Sequence, residues 1–201
     1  LRLNTEVTES VVEEERPDVA IIATGGEPLL PDIPGIDGPR VTTYQEVLAG
    51  KVPIMPGTVL IIGGGMAGCE TAEFMFQQGD YPLVGHTSVT IVEMRDAIAT
   101  DMSPEGRVVL MDRLRRKGIE MMVRTRVVEF LEDGVVVERD GQEETIRGVE
   151  RIVLCAGIRP VDELTNRIAD KVGEVHVIGD AKQARRLCEA ISEGREAAMA
   201  I

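Results

Sequence analysis

The stretch that decides the fold is "TVLIIGGGMAGCETAEF" (58–74), an apolar run followed by three glycines, a fourth glycine and a helical pattern. The apolar run predicts a buried β-strand that ends at Ile62, and the later residues predict a helix to about Gln78. A strand, a glycine-rich turn and a helix in this order are typical of a dinucleotide-binding βαβ unit.

Each glycine of this turn has a physical role in such a unit. Gly63 permits the tight turn, Gly65 lets the backbone approach a pyrophosphate, and Gly68 allows close packing of the helix on the strand. The start of the helix presents N–H groups and a partial positive charge to phosphates. The predicted cofactor-binding residues of the turn are Gly63, Gly64, Gly65, Met66, Ala67 and Gly68.

Two other interpretations of the turn stay open. It could be a tight turn without a ligand, or the first loop of an S-adenosylmethionine enzyme. The latter enzymes commonly carry an acidic residue just before the glycines, whereas this chain has Ile61 and Ile62 there.

An acidic residue ends the next predicted strand, "SVTIVEM" (88–94). Glu93 follows Gly63 by thirty positions, whereas the usual spacing is about 20. The excess can be placed in "GDYPLVGHTS" (79–88), which has the character of an inserted loop. A carboxylate at Glu93 would accept hydrogen bonds from both ribose hydroxyls and repel a 2′-phosphate.

This carboxylate favours NADH over NADPH as the ligand. Met94 and Arg95 follow Glu93 and are included in the predicted site. Arg95 keeps NADPH open, because a nearby guanidinium could hold its extra phosphate. The other interpretation of Glu93 is an ordinary solvated carboxylate at a strand end.

Composition excludes several classes of protein. The 201 residues are 43% hydrophobic and 28% charged, with a formal net charge of -13, which argues against a nucleic-acid surface. No apolar run reaches the roughly 18 residues of a membrane span. The three cysteines (Cys69, Cys155 and Cys188) are isolated, which indicates neither a disulfide framework nor a metal site and favours a cytoplasmic location.

The remaining patterns complete an α/β prediction. Ser103 and Pro104 predict the start of a helix that Gly118 ends. Short β-like runs within 125–147, separated by "EDG" and "RDGQ", predict a small antiparallel β-meander. We expect a helical tail from Lys182. The predicted fold class is therefore a Rossmann-like FAD/NAD(P)-binding α/β fold, with a parallel sheet flanked by helices.

Together, the segments "PDVAIIATGGEPLLPDIPGIDG", "IIGGGMAGCETAEF", "LCAGIRP" and "VHVIGDA" resemble the two-dinucleotide-binding-domain flavoproteins. Within that superfamily the chain is similar to the C-terminal region of the NADH:flavin oxidoreductases related to Old Yellow Enzyme, such as 2,4-dienoyl-CoA and enoate reductases. The resemblance implies an NAD(P)H-binding domain (52–157) inserted into a partial FAD-binding domain (1–51 and 158–201).

The same resemblance implies further cofactor-binding residues. Ala23, Thr24 and Gly25 would lie beside FAD, and Gly179 would place Asp180 on its ribitol or phosphate end. Ala156 and Gly157, which follow Cys155 in the sequence, would run beside bound NADH. Met66 and Glu70 would lie near the contact of nicotinamide and flavin.

Three of these residues also have a purely structural interpretation. Met66 could pack at the helix start, Glu70 could be a favourable charge in the first helical turn, and Asp180 could be the N-cap of the helix "AKQARRL".

Several parts of those relatives have no counterpart in the sequence. A second glycine fingerprint, the flavin-carrying barrel and a closely spaced cysteine cluster are missing, and we expect them upstream of Leu1. FMN and a [4Fe-4S] cluster are expected only there, and homo-oligomer formation stays open. No side chain is assigned as catalytic.

The resulting hypothesis is a module that binds NADH and passes hydride to FAD. The alternatives are a nucleotide-binding or regulatory module without turnover, and part of a rubredoxin- or nitrite-reductase-type flavoprotein reductase.

Overall fold

The computed structural model describes residues 1–79 and 85–201. Residues 80–84, within the predicted insertion 79–88, lie outside the described residues. The chain divides into two compact units: unit 1 comprises residues 1–29 and 157–201, and unit 2 comprises residues 30–156.

Helices and strands follow one another in α/β order. In the described part of the chain the helices are α1 (Glu9–Glu15), α2 (Tyr44–Leu48), α3 (Met66–Gln78), α4 (Pro104–Arg116), α5 (Glu163–Ile168) and α6 (Leu187–Ala200). The strands there are β1 (Val19–Ile22), β2 (Gly26–Pro28), β3 (Val41–Thr43), β4 (Gly57–Ile62), β5 (Thr87–Val92), β6 (Glu120–Met122), β7 (Thr125–Leu131), β8 (Gly134–Arg139), β9 (Gln142–Arg147), β10 (Arg151–Leu154), β11 (Ile158–Pro160) and β12 (Glu174–Val177).

Unit 2 is built on a parallel sheet with the strand order β3-β10-β4-β5-β6. Its two apolar faces alternate along β4, because successive side chains of a strand point to opposite faces. Val59 and Ile61 join one hydrophobic cluster, whereas Leu60 and Ile62 join another. All four side chains are at most 8% exposed, so β4 is central to the unit.

Helices cover one face of this sheet. Ala72 and Met75 of α3 and Leu110 and Leu114 of α4 pack in the same cluster as Ile61. The start of α4 follows the prediction, because the Ser103 hydroxyl accepts a hydrogen bond from the Gly106 N–H at 3.2 Å.

The antiparallel sheet β7-β8-β9 covers the other face. Val127, Phe130, Val135 and Val137 share a cluster with Leu60. Strand β8 pairs with both of its neighbours in antiparallel register. The predicted β-meander and the predicted fold class are confirmed.

Unit 1 combines segments from both ends of the chain. Strand β1 pairs with β12 in parallel, with Ile22 opposite Val177, and β2 pairs with β11 in antiparallel register. A small core holds Val12, Ile22 and Ile168. Unit 2 is therefore a continuous segment inserted in a discontinuous unit.

Two observed boundaries differ from the sequence-based expectations. The first unit boundary falls after Leu29 rather than after residue 51, because β3 pairs with β10 within unit 2. Helix α6 begins at Leu187 and not at Lys182. In the intervening segment the Arg185 N–H donates to the Asp180 carboxylate at 3.2 Å, a local bond that competes with helix formation.

Candidate functional site

The glycine turn of unit 2 lies at the carboxyl end of β4, beside the end of β10. Gly63 has φ +107, a region that side chains rarely adopt. A Cβ at Gly63 would lie 2.3 Å from the carbonyl oxygen of Cys155, and a Cβ at Gly68 would lie 1.9 Å from the carbonyl oxygen of Gly63. Close packing of turn, helix and neighbouring strand therefore requires glycine at both positions.

Glu93 directly follows β5 and faces this turn. One of its carboxylate oxygens accepts the Gly64 N–H at 2.6 Å, and the other accepts the Arg95 N–H at 2.8 Å. The residue is only 7% exposed, so the interpretation as a solvated strand-end carboxylate is wrong. Because each carboxylate oxygen has two lone pairs, both oxygens keep acceptor capacity for a ligand hydroxyl.

A second carboxylate, that of Asp101, lies at the start of α3. Its two oxygens accept the Met66 N–H at 2.9 and 3.1 Å. The nearest atoms to a Cβ built on Gly65 are also these oxygens, at 3.3 and 3.7 Å. The space beside Gly65, where a pyrophosphate was expected, therefore faces a resident carboxylate.

Sequence reasoning missed Asp101. The signal available was its place two residues before the N-cap Ser103, in the short link from β5 to α4. Such a link has to start at the carboxyl end of the sheet, which is also where α3 begins.

The other residues predicted for unit 2 differ in their surroundings. Met94 and Arg95 are exposed immediately after Glu93, and Ala156 is half-buried after the end of β10. Met66 is the first residue of α3 and is half-buried. Glu70 is exposed as the fifth residue of α3, so the interpretation as a first-turn charge is wrong.

Two thiols lie beneath the turn. Burial raises the pKa of Cys69 to about 12 and that of Cys155 to about 12. The Cys69 thiol also donates to the Gly64 carbonyl oxygen at 3.5 Å. Because thiols with such pKa values stay protonated near neutral pH, these side chains serve packing of the turn.

In unit 1 the structure brings the two predicted segments to one edge. Residues 23–25 follow β1 and Gly179 comes shortly after β12, and these strands are parallel neighbours, so both segments lie at the carboxyl end of the pair. Ala23 and Thr24 are exposed. The Thr24 hydroxyl donates to the Val161 carbonyl oxygen, which fixes its orientation.

Glu193 of α6 is a further residue that the sequence did not single out. Its carboxylate accepts the Gly179 N–H at 2.8 Å and also binds Arg185 and Lys182. The Arg185 side chain first, and then the Gly179 N–H, lower the pKa of Glu193 to about 2. Asp180 lies in a 3-10 turn and α6 starts later, so its interpretation as an N-cap is wrong.

Apart from the Asp101 carboxylate, the residues around the glycine turn of unit 2 fit a dinucleotide. A pyrophosphate requires bare backbone at the turn and the N-terminus of a helix, here the 13-residue α3. The ribose joined to it requires an acceptor at the end of the next strand, here the buried Glu93 carboxylate. Over residues 1–79 and 85–201 no group of three or more His, Cys, Asp or Glu side chains is arranged to hold a metal ion. Within the same ranges, no helix has the length and apolar character to span a membrane.

Comparison with known proteins agrees with this architecture. The family model described as pyridine nucleotide-disulphide oxidoreductase matches residues 3–184. An NADH oxidase of Thermoanaerobacter brockii is 38% identical over 190 residues, covering 92% of this chain and 28% of that protein. A metal reductase of Desulforamulus reducens is 29% identical over 206 residues, covering 92% of this chain and 30% of the relative.

Solved structures show the same likeness. The 2-naphthoyl-CoA reductase complex superposes with a TM-score of 0.83 at 33% identity, over 96% of this chain and 28% of that one. The 6-hydroxypseudooxynicotine amine oxidase of Pseudomonas geniculata N1 gives a TM-score of 0.78 at 26% identity, over 97% and 30%.

The chain thus spans 28% to 30% of the length of these two curated relatives. A family match of this extent replaces the S-adenosylmethionine interpretation of the glycine turn. The chain belongs to the pyridine nucleotide-disulphide oxidoreductase family, a family of flavoprotein oxidoreductases that bind FAD and NAD(H).

Proposed function

We propose that the chain is the nucleotide-binding portion of an NADH-dependent flavin oxidoreductase of the type related to Old Yellow Enzyme. Unit 2 binds NADH, and unit 1 contributes to an FAD site. When bound, NADH would supply a hydride to FAD, and an upstream barrel domain would hold the flavin and iron–sulfur centres that accept the electrons. The division of the chain into an NAD(P)H-binding domain and a partial FAD-binding domain is part of this proposal.

The observation that carries the proposal is the position of Glu93. It is buried at the end of β5 and bonded to the Gly64 N–H, which places a carboxylate beside the turn where an adenosine ribose would lie. An anionic carboxylate disfavours a 2′-phosphate at the same place, because two like charges repel strongly when little water separates them. NADH is therefore favoured over NADPH.

The relatives support a larger enzyme. A protein named NADH oxidase shares 38% identity, and a structure named 2-naphthoyl-CoA reductase shares 33%, yet this chain covers 28% of each. Parallel sheets are normally covered on both faces, yet Ile21 of the parallel pair β1 and β12 is 43% exposed. This uncovered apolar side chain agrees with the proposal that unit 1 is only part of an FAD-binding domain.

The chain's own contribution is binding and orientation. The backbone of residues 63–68 would hold the pyrophosphate, and Glu93 would hold the ribose. Ala156 and Gly157 would line the path of NADH, whereas residues 23–25 and Asp180 would contact FAD. Hydride transfer between the two cofactors requires no general acid or base from the protein, which supplies positioning and electrostatics.

The first experiment is a titration of the purified chain with NADH and with NADPH. The change in nicotinamide fluorescence measures binding. We expect the wild-type chain to bind NADH at least about tenfold more tightly, corresponding to about 1.4 kcal/mol of repulsion. Glu93→Gln should reduce this preference, whereas Glu105→Gln, which changes an exposed carboxylate in α4, should preserve it. A wild-type preference for NADPH would overturn the assignment.

A second experiment separates a hydride-transfer module from a binding module. The purified chain is expected to carry little or no flavin absorbance, and a protein extended upstream to include the barrel is expected to carry FAD and to bleach it with NADH. NADH binding without flavin reduction in the extended protein would instead indicate a nucleotide-binding or regulatory module.

A further inference from the structure

The segment between β5 and α4 is held firmly against the glycine turn. The Ala99 N–H donates to the Gly64 carbonyl oxygen at 2.6 Å, and the Arg107 side chain donates to the Ile98 carbonyl oxygen at 2.6 Å. Ile98 and Ala99 are at most 2% exposed. Asp101, two residues after Ala99, is consequently delivered to the start of α3 from a fixed backbone.

At this place the Asp101 carboxylate has the surroundings of a bound phosphate. It accepts the Met66 N–H through both oxygens and stands beside the bare face of Gly65. A helix start with its backbone N–H groups binds phosphates and carboxylates by the same interactions. Asp101 and a pyrophosphate therefore require the same N–H group and the same positive end of α3.

We propose that Asp101 is an affinity-determining residue that competes internally with the pyrophosphate of the dinucleotide. Binding of NADH exchanges the bond between Asp101 and Met66 for a bond to a phosphate oxygen. The displaced carboxylate stays near the phosphates because its backbone is fixed, so its charge lowers affinity and speeds release. This inference rests on the proposed NADH site and adds the residue that sets how tightly the site binds.

The two carboxylates at the turn differ in what they would do. Glu93 bonds to the Gly64 N–H and faces hydroxyl donors, which a carboxylate attracts. Asp101 bonds to the Met66 N–H and faces an anion, which a carboxylate repels. Removing charge at the two positions should thus change NADH affinity in opposite directions.

The test uses calorimetric or fluorescence titration of the whole chain with NAD⁺, ADP-ribose and adenosine at low salt. Asp101→Asn keeps an acceptor of similar shape without the charge, and Asp101→Ala removes the acceptor. For the two ligands that carry a pyrophosphate, both variants should bind roughly 3- to 30-fold more tightly than the wild-type chain, which is the range expected for one charge at a helix start. Adenosine affinity, measured by NMR shifts, should change less than twofold.

Asp96→Asn is the matched control, since Asp96 is an exposed carboxylate on the same segment. Its affinities should stay within about twofold of the wild-type values, and the gain for Asp101→Asn should shrink at high salt. Thermal unfolding of each variant verifies that the unit is folded. Equal or weaker NAD⁺ binding by folded Asp101→Asn overturns the inference. Failure of the wild-type chain itself to bind NAD⁺ or ADP-ribose overturns the proposed function instead.

Discussion

Replacement of Gly68 by alanine tests whether the close approach of α3 to the glycine turn is a structural requirement. The added Cβ would lie 1.9 Å from the Gly63 carbonyl oxygen, 3.0 Å from its carbonyl carbon and 3.3 Å from the Cys155 Cβ. Ordinary contact begins at 3.4 Å, so the start of α3 would have to retreat by about 1.5 Å. The opposing atoms are mainly backbone and cannot rotate away.

Overpacking of this kind costs typically about 1–3 kcal/mol, whereas alanine in a helix gains at most about 1 kcal/mol over glycine. We therefore expect Gly68→Ala to lower the free energy of unfolding by about 1–2 kcal/mol. For a chain of this size, that corresponds to a fall in Tm of roughly 2–8 °C. NADH affinity should fall as well, because the retreat moves the Met66 N–H.

The assay is thermal and urea unfolding followed by circular dichroism, with NADH titration of the same samples. Gly194→Ala is the matched control: Gly194 lies inside α6, and its nearest neighbour to an added Cβ is the Ile178 Cδ1 at 3.7 Å. This control should be neutral or more stable by up to about 1 kcal/mol. If Gly68→Ala unfolds at or above the wild-type temperature and binds NADH normally, close packing at the turn is not the reason for glycine there.

Two further outcomes are expected from the perturbed ionisable groups. Iodoacetamide at pH 8 should modify exposed Cys188 while leaving Cys69 and Cys155, whose pKa values are raised to about 12, largely unmodified in a peptide mass map of the folded chain; rapid labelling of Cys69 would contradict this. The Glu46 pKa is lowered from 4.5, first by the hydrogen bond from the Thr43 N–H. The stability that the Glu46 carboxylate contributes is therefore present above pH 4.5 and is lost as the pH falls through the pKa of Glu46 in the folded chain. Glu46→Ala should therefore cost about 0.5–1.5 kcal/mol at pH 7 and less at pH 3 in urea unfolding, and an equal cost at both pH values would refute this reasoning.

Local signals made much of this fold predictable from the sequence. The glycine turn follows from adjacent residues, because a missing Cβ and a left-handed φ are properties of single positions. The ends of α4 follow from Ser103 and from Gly118, which has φ +70. The meander follows from alternation along β7 and β8, which buries Val127 and Val137 together.

Long-range pairing could not be read in the same way. The pattern "VTT" (41–43) contains nothing that distinguishes a strand of unit 1 from one of unit 2, yet it pairs with β10 more than a hundred residues later. Glu193 was missed for the same reason, since its contact with the Gly179 N–H joins a helix to a turn. Such contacts depend on how helices and strands pack together, and a local sequence pattern does not predict that packing.

The acidic residues around the glycine turn illustrate what this limitation means for function. From sequence, Glu93 is recognised by its place at the end of a strand, and it is interpreted by what it would do to a ribose. Only the folded chain brings Asp101 to the same turn, opposite the group that the turn is expected to bind. In the inference drawn above, this exposed aspartate, which belongs to no sequence motif, sets how tightly the site binds a dinucleotide. Under the proposed function the oxidised nucleotide has to leave on every turnover, and a resident competitor for the phosphates would favour that release.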